Sequence, residues 1–258
     1  MEATTCNGSV DSTPVFYLVG IPSLPEFFFL PMFFIFLLFY LLILTGNALI
    51  LVAVVAEPNL HKPMYFFLIN LSALDILFTT TTVPKMLSLF LLGDHFLSFP
   101  SCLLQMYLFQ SFTCSEAFLL VVMAYDRYVA ICRPLHYPVH MTPQTNAALA
   151  ASAWFTALLL PVPAVVKTSQ MAYNNIAYIY HCFCDHFALV QASCSDTTPQ
   201  TLMGFCIAMV VSFLPLLLVL LTPILNPLIY TLRNKDVKAA IMKIAYLKNQ
   251  AGTETFNL

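Results

Sequence analysis

Asp75 and Glu116 are carboxylates set inside long apolar runs, where an ionised side chain is costly and marks a functional site by default. Asp75 lies eleven residues after Met64, which opens its run. Glu116 lies eleven residues before Arg127, which closes the next. At ~1.5 Å per helical residue, each stands about 16 Å from the end that carries Met64 or Arg127. Two antiparallel helices would bring both to one depth, near the middle of a ~30 Å hydrocarbon layer. Asn47, ten residues before Glu57, reaches a similar depth from the preceding run. Two carboxylates that close do not both ionise comfortably, so one holds a proton or a cation sits between them. A sodium ion or a proton is the chemical reading. A hydrogen-bonded plug that fixes helix packing is the plain one. Acid–base catalysis is excluded, because no nucleophile or metal-ligand set accompanies the pair, and no enzyme is expected.

Three further groups could do chemistry. The outer half of the third run is polar, with Gln105, Gln110, Ser111, Thr113, Cys114 and Ser115. Helical spacing puts Met106, Gln110, Thr113 and Cys114 near one face, with Phe109 beside it. That face could line a small, mostly apolar pocket with a few hydrogen-bonding groups. Small polar residues acting as glue between helices explain it equally well. The second group is the Asp126, Arg127 and Arg133 charges within residues 123–138, MAYDRYVAICRPLHYP, at the end of the same run. The third is the cysteines. Cys6, Cys102, Cys182, Cys184 and Cys194 fall outside or at the outer edge of the apolar runs, where disulfides are expected. His181, Cys182, Cys184 and His186 could suggest zinc, but the oxidising compartment favours disulfides. Cys114, Cys132 and Cys206 read as small apolar packing residues.

The elements that must position these groups follow from composition. The chain of 258 residues is 60% hydrophobic and 9% charged. A soluble domain could not hide that much apolar surface, and runs above ~18 apolar residues read as membrane spans. Backbone groups in lipid must be satisfied internally, and the runs are continuous rather than alternating, so the spans are helices. They cover 28–56, 64–92, 102–130, 147–166 and 202–221. A shorter apolar piece, 222–232, follows the fifth with no polar break. Residues 1–27 form an outer tail with neither the basic start nor the apolar core of a cleavable signal. Residues 233–258 form a basic inner tail. With the N-terminus outside, the inner side holds Lys62, Arg127, Arg133, Arg233, Lys235, Lys238, Lys243 and Lys248. The outer side holds Lys167, with Lys85 near the outer end of its span. That bias requires an odd number of crossings, and five satisfy it. Asn7-Gly8-Ser9 is a glycosylation sequon on the outer side; Asn70-Leu71-Ser72 lies inside a span and is discarded. A net charge of −2 gives no sign of nucleic-acid binding.

Motifs along nearly the whole chain resemble the olfactory receptors, within the rhodopsin-like G-protein-coupled family. They are Gly46-Asn47, Leu60-His61-Lys62-Pro63-Met64-Tyr65, Leu71-Ser72-Ala73-Leu74-Asp75, residues 123–132, and Pro134-Leu135-His136-Tyr137-Pro138. Trp154, Cys184-Asp185-His186, Ser193-Cys194-Ser195-Asp196-Thr197 and residues 223–234, PILNPLIYTLRN, complete the series. The loop with Cys184-Asp185-His186 and the start of the second span look closer to the fish-like, class I subgroup. The resemblance implies a plasma-membrane odorant receptor that signals through a stimulatory heterotrimeric G protein. It implies that Asp126 restrains Arg127 at rest in an Asp126-Arg127-Tyr128 switch. Phe109, Gln110, Thr113 and Cys114 would face a small odorant, with Met106 on the same face. Asp75 and Glu116, with Asn47 and Asn226, would form a sodium-type site. Cys102 would pair with Cys184, leaving Cys182 with Cys194 as a candidate second bridge.

The chain also departs from the family. Seven helices are expected of the family, yet Leu217-Leu218-Val219-Leu220-Leu221 runs directly into Thr222-Pro223-Ile224-Leu225-Asn226-Pro227. The inner end of the fifth helix, the sixth helix and most of the seventh are missing. The fold expected is therefore an all-α transmembrane bundle of about five crossings plus a remnant. Loss of two crossings leaves the basic tail inside. The family's activating motion is an outward swing of the sixth helix, and a switch without its two-state element does not switch. The competing readings are a non-signalling membrane protein that is retained in the endoplasmic reticulum or pairs with intact receptors, and, more remotely, a channel or transporter using Asp75 and Glu116.

Overall fold

The computed structural model describes residues 13–213 other than residue 23 and residues 58–62, together with residue 216. Cys6, Asn7, Lys62, Asn226, the joint at Leu221 and Thr222, the remnant 222–232 and the basic tail lie outside the described residues.

The chain enters through a short strand, β1 (Val15–Leu18), and a single 3-10 turn (Glu26–Phe28). The first long helix, α1 (Phe29–Ala56), is apolar on every side, so only lipid can solvate it. Leu38, Leu42, Leu49, Val52 and Val55 are all exposed. Next come α2 (Pro63–Leu92), β2 (Phe96–Ser98) and α3 (Phe99–Cys132). Proline at the start of a helix forfeits an N–H that has no partner there; Pro63 and Pro100 use that position in α2 and α3. A 3-10 turn (Pro134–His136) and α4 (Tyr137–His140) cross the inner face.

The fourth span differs from the uninterrupted run expected over 147–166. It starts earlier, as α5 (Pro143–Leu159), because Thr142 Oγ1 accepts the Thr145 N–H at 3.2 Å and caps the first turn. It is broken at Leu160 and resumes as α6 (Val162–Ser169). Pro161 and Pro163 remove two N–H donors from the helical ladder at that point. Beyond it lie β3 (Ile176–Ile179), α7 (His186–Ala192) and a further apolar helix, α8 (Thr198–Phe213). Asp185 and Asp196 accept the N–H groups of Phe187 and Thr198 and so start α7 and α8.

Among the described residues, four helices are long and apolar enough to cross a membrane: Glu26–Ala56, Pro63–Leu92, Phe99–Cys132 and Pro143–Ser169. The molecule is an all-α transmembrane bundle with a small outer sheet in the order β2-β1-β3. Strand β1 is antiparallel to β2, with Val15 opposite Ser98, and parallel to β3, with Val15 opposite Ile176. Strand alternation points Phe16, Leu18, Ala177 and Ile179 inward onto Leu89, Met106 and Leu189, forming an outer core. A second core, nearer the inner face, joins Phe67 and Leu74 of α2 with Phe112, Leu119 and Val122 of α3 and Ala150 and Ala153 of α5. Trp154 Nε1 donates to Asn70 Oδ1 at 3.2 Å, which ties α5 to α2 and accounts for the discarded Asn70 sequon. Tyr107 ties α3 to α5 by donating to the Leu158 carbonyl at 3.1 Å.

Candidate functional site

A cavity of about 130 Å³ lies between α3, the start of α7 and the inner face of α8. Phe109, Gln110, Thr113 and Cys114 line it from α3, one face of the polar half-helix. Met106 does not join them. It is fully buried in the outer core beside the Cys102 disulfide. Most of the wall is apolar, and one polar atom stands out: Gln110 Oε1 is out of reach of solvent and meets no donor among the described residues. Thr113, by contrast, is committed, donating to the Phe109 carbonyl at 2.8 Å.

The opposite wall holds residues that spacing alone did not single out. His186 is buried, with Nε2 3.2 Å from the Gln200 carbonyl and Nδ1 3.5 Å from Thr168 Oγ1. These partners favour a neutral ring that donates from Nε2 to the carbonyl and accepts the threonine hydroxyl at Nδ1. Gly204 makes this fit, because a Cβ there would stand 2.7 Å from His186 Cδ2. The Cys184-Asp185-His186 sequence was the available signal; the glycine one helix away was not legible without the packing.

Above the cavity, Cys102 and Cys184 are disulfide-bonded and pin the outer loop to α3. Gln105, one turn below Cys102, clips the same place. Its Oε1 accepts the Cys184 N–H and its Nε2 donates to the Thr81 carbonyl of α2, both at 2.9 Å. The second bridge, Cys182 with Cys194, is not formed. Cys182 is a free, buried thiol, while Cys194 is disulfide-bonded elsewhere. Cys182 is packed into the outer core, and its burial pushes the thiol up from the usual range. With Cys184 in a disulfide, the four residues that could have suggested zinc are not a metal site.

Deeper in the bundle, the Asn47 amide donates to the Ile43 carbonyl at 3.0 Å, and Asp75 of α2 lies within electrostatic reach of Asn47 and Glu116. Asn47, Asp75 and Glu116 thus stand on the neighbouring helices α1, α2 and α3. Glu116 is exposed.

The scan against protein families matches residues 36–220 to a model described as olfactory receptor. Human olfactory receptor 2AT4 is 71% identical, over 95% of this chain and 97% of its own length. Human olfactory receptor 11A1 is 34% identical over 94% of this chain and 96% of its own length. Human olfactory receptor 6Y1 is 43% identical over 80% of this chain, which spans 63% of that relative. This chain belongs to the olfactory receptor family.

The alignment to olfactory receptor 2AT4 runs over 309 positions, more than the 258 residues present here, so that receptor carries sequence this one lacks. The family match stops at residue 220, beside the joint of Leu221 and Thr222. At the inner face of this olfactory receptor, the expected Asp126–Arg127 restraint takes another form. Asp126 is buried and accepts the Tyr137 hydroxyl at 2.8 Å, whereas the Arg127 guanidinium donates to Met64 Sδ. Burial and the Asp126 carboxylate push the Tyr137 phenol up to about 12. The α4 turn places Tyr137 under α3, so the aspartate takes its hydrogen bond from a hydroxyl of the loop.

Proposed function

We propose that this olfactory receptor binds a small, largely apolar odorant in the α3–α7–α8 cavity and does not pass the event to a G protein. The observation that carries the binding half is the unpartnered Gln110 Oε1 within an apolar wall. A buried acceptor without a donor costs about 1–3 kcal/mol, and a ligand hydroxyl removes that cost. The ligand class is therefore a medium-chain molecule with one hydrogen-bond donor. The non-signalling half rests on the missing sixth helix, whose displacement is the two-state element of the family. Plasma-membrane residence, an N-terminus outside and a glycan at Asn7 belong to the same reading, as does sodium between Asp75 and Glu116. The chain that lacks a wall of its bundle is also suited to retention in the endoplasmic reticulum or to pairing with intact receptors.

The test is odorant-evoked cAMP in cells with surface expression confirmed, run beside ligand binding to purified protein. Medium-chain alcohols should stabilise the protein more than alkanes of equal length, and Gln110→Leu should erase the difference. No cAMP rise should accompany binding. A robust, dose-dependent response abolished by Arg127→Ala would overturn the non-signalling half.

A further inference from the structure

A second cavity, of about 290 Å³, opens between the outer ends of α6 and α8, lined by Lys167, Met171, Asp196, Pro199, Gln200 and Met203. It is distinct from the inner cavity and shares no lining residue with it. Its polar groups form an unusual set. Lys167 brings an exposed ammonium, which makes no ion pair among the described residues. Asp196 brings a carboxylate whose Oδ1 accepts the Thr198 N–H at 3.0 Å. Gln200 is 7% exposed, and its Oε1 has no hydrogen-bond partner among the described residues. A buried amide oxygen left without a donor is a cost that native packing normally avoids. Gln200 lines this cavity together with one cation, Lys167, and one anion, Asp196, and these three residues specify the charges of a ligand.

We propose that this outer cavity is a ligand site for a zwitterionic group, with an anion on Lys167 and an ammonium shared between Asp196 and Gln200 Oε1. Met171, Met203 and Pro199 supply an adaptable apolar wall for the remainder of the ligand. Two sources carry this chemistry: a free apolar amino acid from the outer solution, and the headgroup of an ethanolamine phospholipid. A choline headgroup lacks the N–H that Gln200 needs. The site is also connected to the inner cavity. The Gln200 main-chain carbonyl accepts from His186, whose ring lines the inner wall.

The experiment uses the purified full chain in detergent and in lipid nanodiscs, and measures affinity for leucine, 4-methylpentanoate and 3-methylbutylamine. These share an apolar body and differ in carrying both charges or one. Leucine should bind at least about tenfold more tightly than either single-charge probe, since each lost charged hydrogen bond is worth that factor. Lys167→Gln should reduce leucine to the level of the amine, and Asp196→Asn to the level of the acid. Gln200→Leu should weaken leucine while leaving the His186 bond, which is made to the main chain. Lys167 and Asp196 are exposed, so their variants keep the fold, and an unchanged melting temperature verifies it. If ethanolamine nanodiscs block leucine and choline nanodiscs admit it, the headgroup is the source; if both admit it, the free amino acid is. Three probes binding alike, leucine unaffected by Lys167→Gln, or no binding in detergent and in choline nanodiscs overturns the proposal.

Discussion

Gly204 and His186 meet so closely that one methyl group decides their fit. A Cβ at Gly204 would lie 2.7 Å from Cδ2 and 2.9 Å from Nε2 of the ring. The ring cannot yield without giving up the Gln200 carbonyl or the Thr168 hydroxyl. Gly204→Ala should therefore cost about 1–3 kcal/mol, the range for overpacking a filled site, read as a lowered melting temperature. An unchanged melting temperature would mean that the ring swings freely and is no fixed wall. The acidic pair makes a second prediction at this scale. Asp75 and Glu116 lie on neighbouring helices within electrostatic reach of each other, and a cation between them would relieve their repulsion. Sodium in place of a large organic cation should raise the melting temperature, and Asp75→Asn should abolish the increment. Absence of any sodium dependence would leave the pair a packing plug.

Among the elements, the outer ends of α2 and α3 are tied at several points, and the contributions differ in kind. Lys85 Nζ donates to Asp94 Oδ2 at 2.6 Å and to the Phe96 carbonyl at 2.9 Å. The hydrogen bond from Lys85 is the main reason that the Asp94 carboxyl is held below the usual carboxylate range. A carboxylate with a depressed folded value adds stability that is fully present above its unfolded value near 4. That increment fades as pH falls through the folded value. Asp94 is largely exposed, so solvent screening keeps the increment well below ~1 kcal/mol. Asp94→Asn should accordingly lower stability slightly at neutral pH and not at all in strong acid, and added salt should shrink the difference. An equal loss at both pH values would assign the effect to packing. The positions of these helices were legible because a continuous apolar run needs only lipid to explain it. The outer sheet was not, since four-residue strands such as Val15–Leu18 carry too short an alternation to separate from loop. The face of Phe109, Gln110, Thr113 and Cys114 could be read from helical spacing, but Met106 on the same stripe went to the outer core. A stripe names a direction, and the packing of the outer loop under Cys184 decides where the cavity ends. Cys182 misled for a related reason: it and Cys184 look equivalent in sequence and both are buried, and only the approach of Cys184 to Cys102, 5.4 Å between Cα atoms, separates the bonded one from the free one.

For the whole molecule, the decisive quantity is what the missing segment leaves for Arg127 to do. In the described bundle Asp126 is satisfied by Tyr137, and Arg127 reaches across to Met64 on α2. Both are contacts within the inner ends of α2, α3 and α4. A ligand shifts an equilibrium only by its differential affinity for two states, and in the proposed reading the sixth helix is the element that such a shift would act on. Olfactory receptor 2AT4 aligns over 309 positions and therefore offers the sequence to insert at the joint of Leu221 and Thr222. Restoring that segment should produce an odorant-evoked cAMP response that the natural chain lacks at equal surface expression. Arg127→Ala in the restored chain should remove the response again while leaving ligand binding intact, because the cavity lies at the other end of α3. A restored chain that reaches the surface, binds ligand and stays silent would place the defect in the residues that this chain does have. A natural chain that responds as strongly as the restored one would show that this bundle contains a switch without the sixth helix.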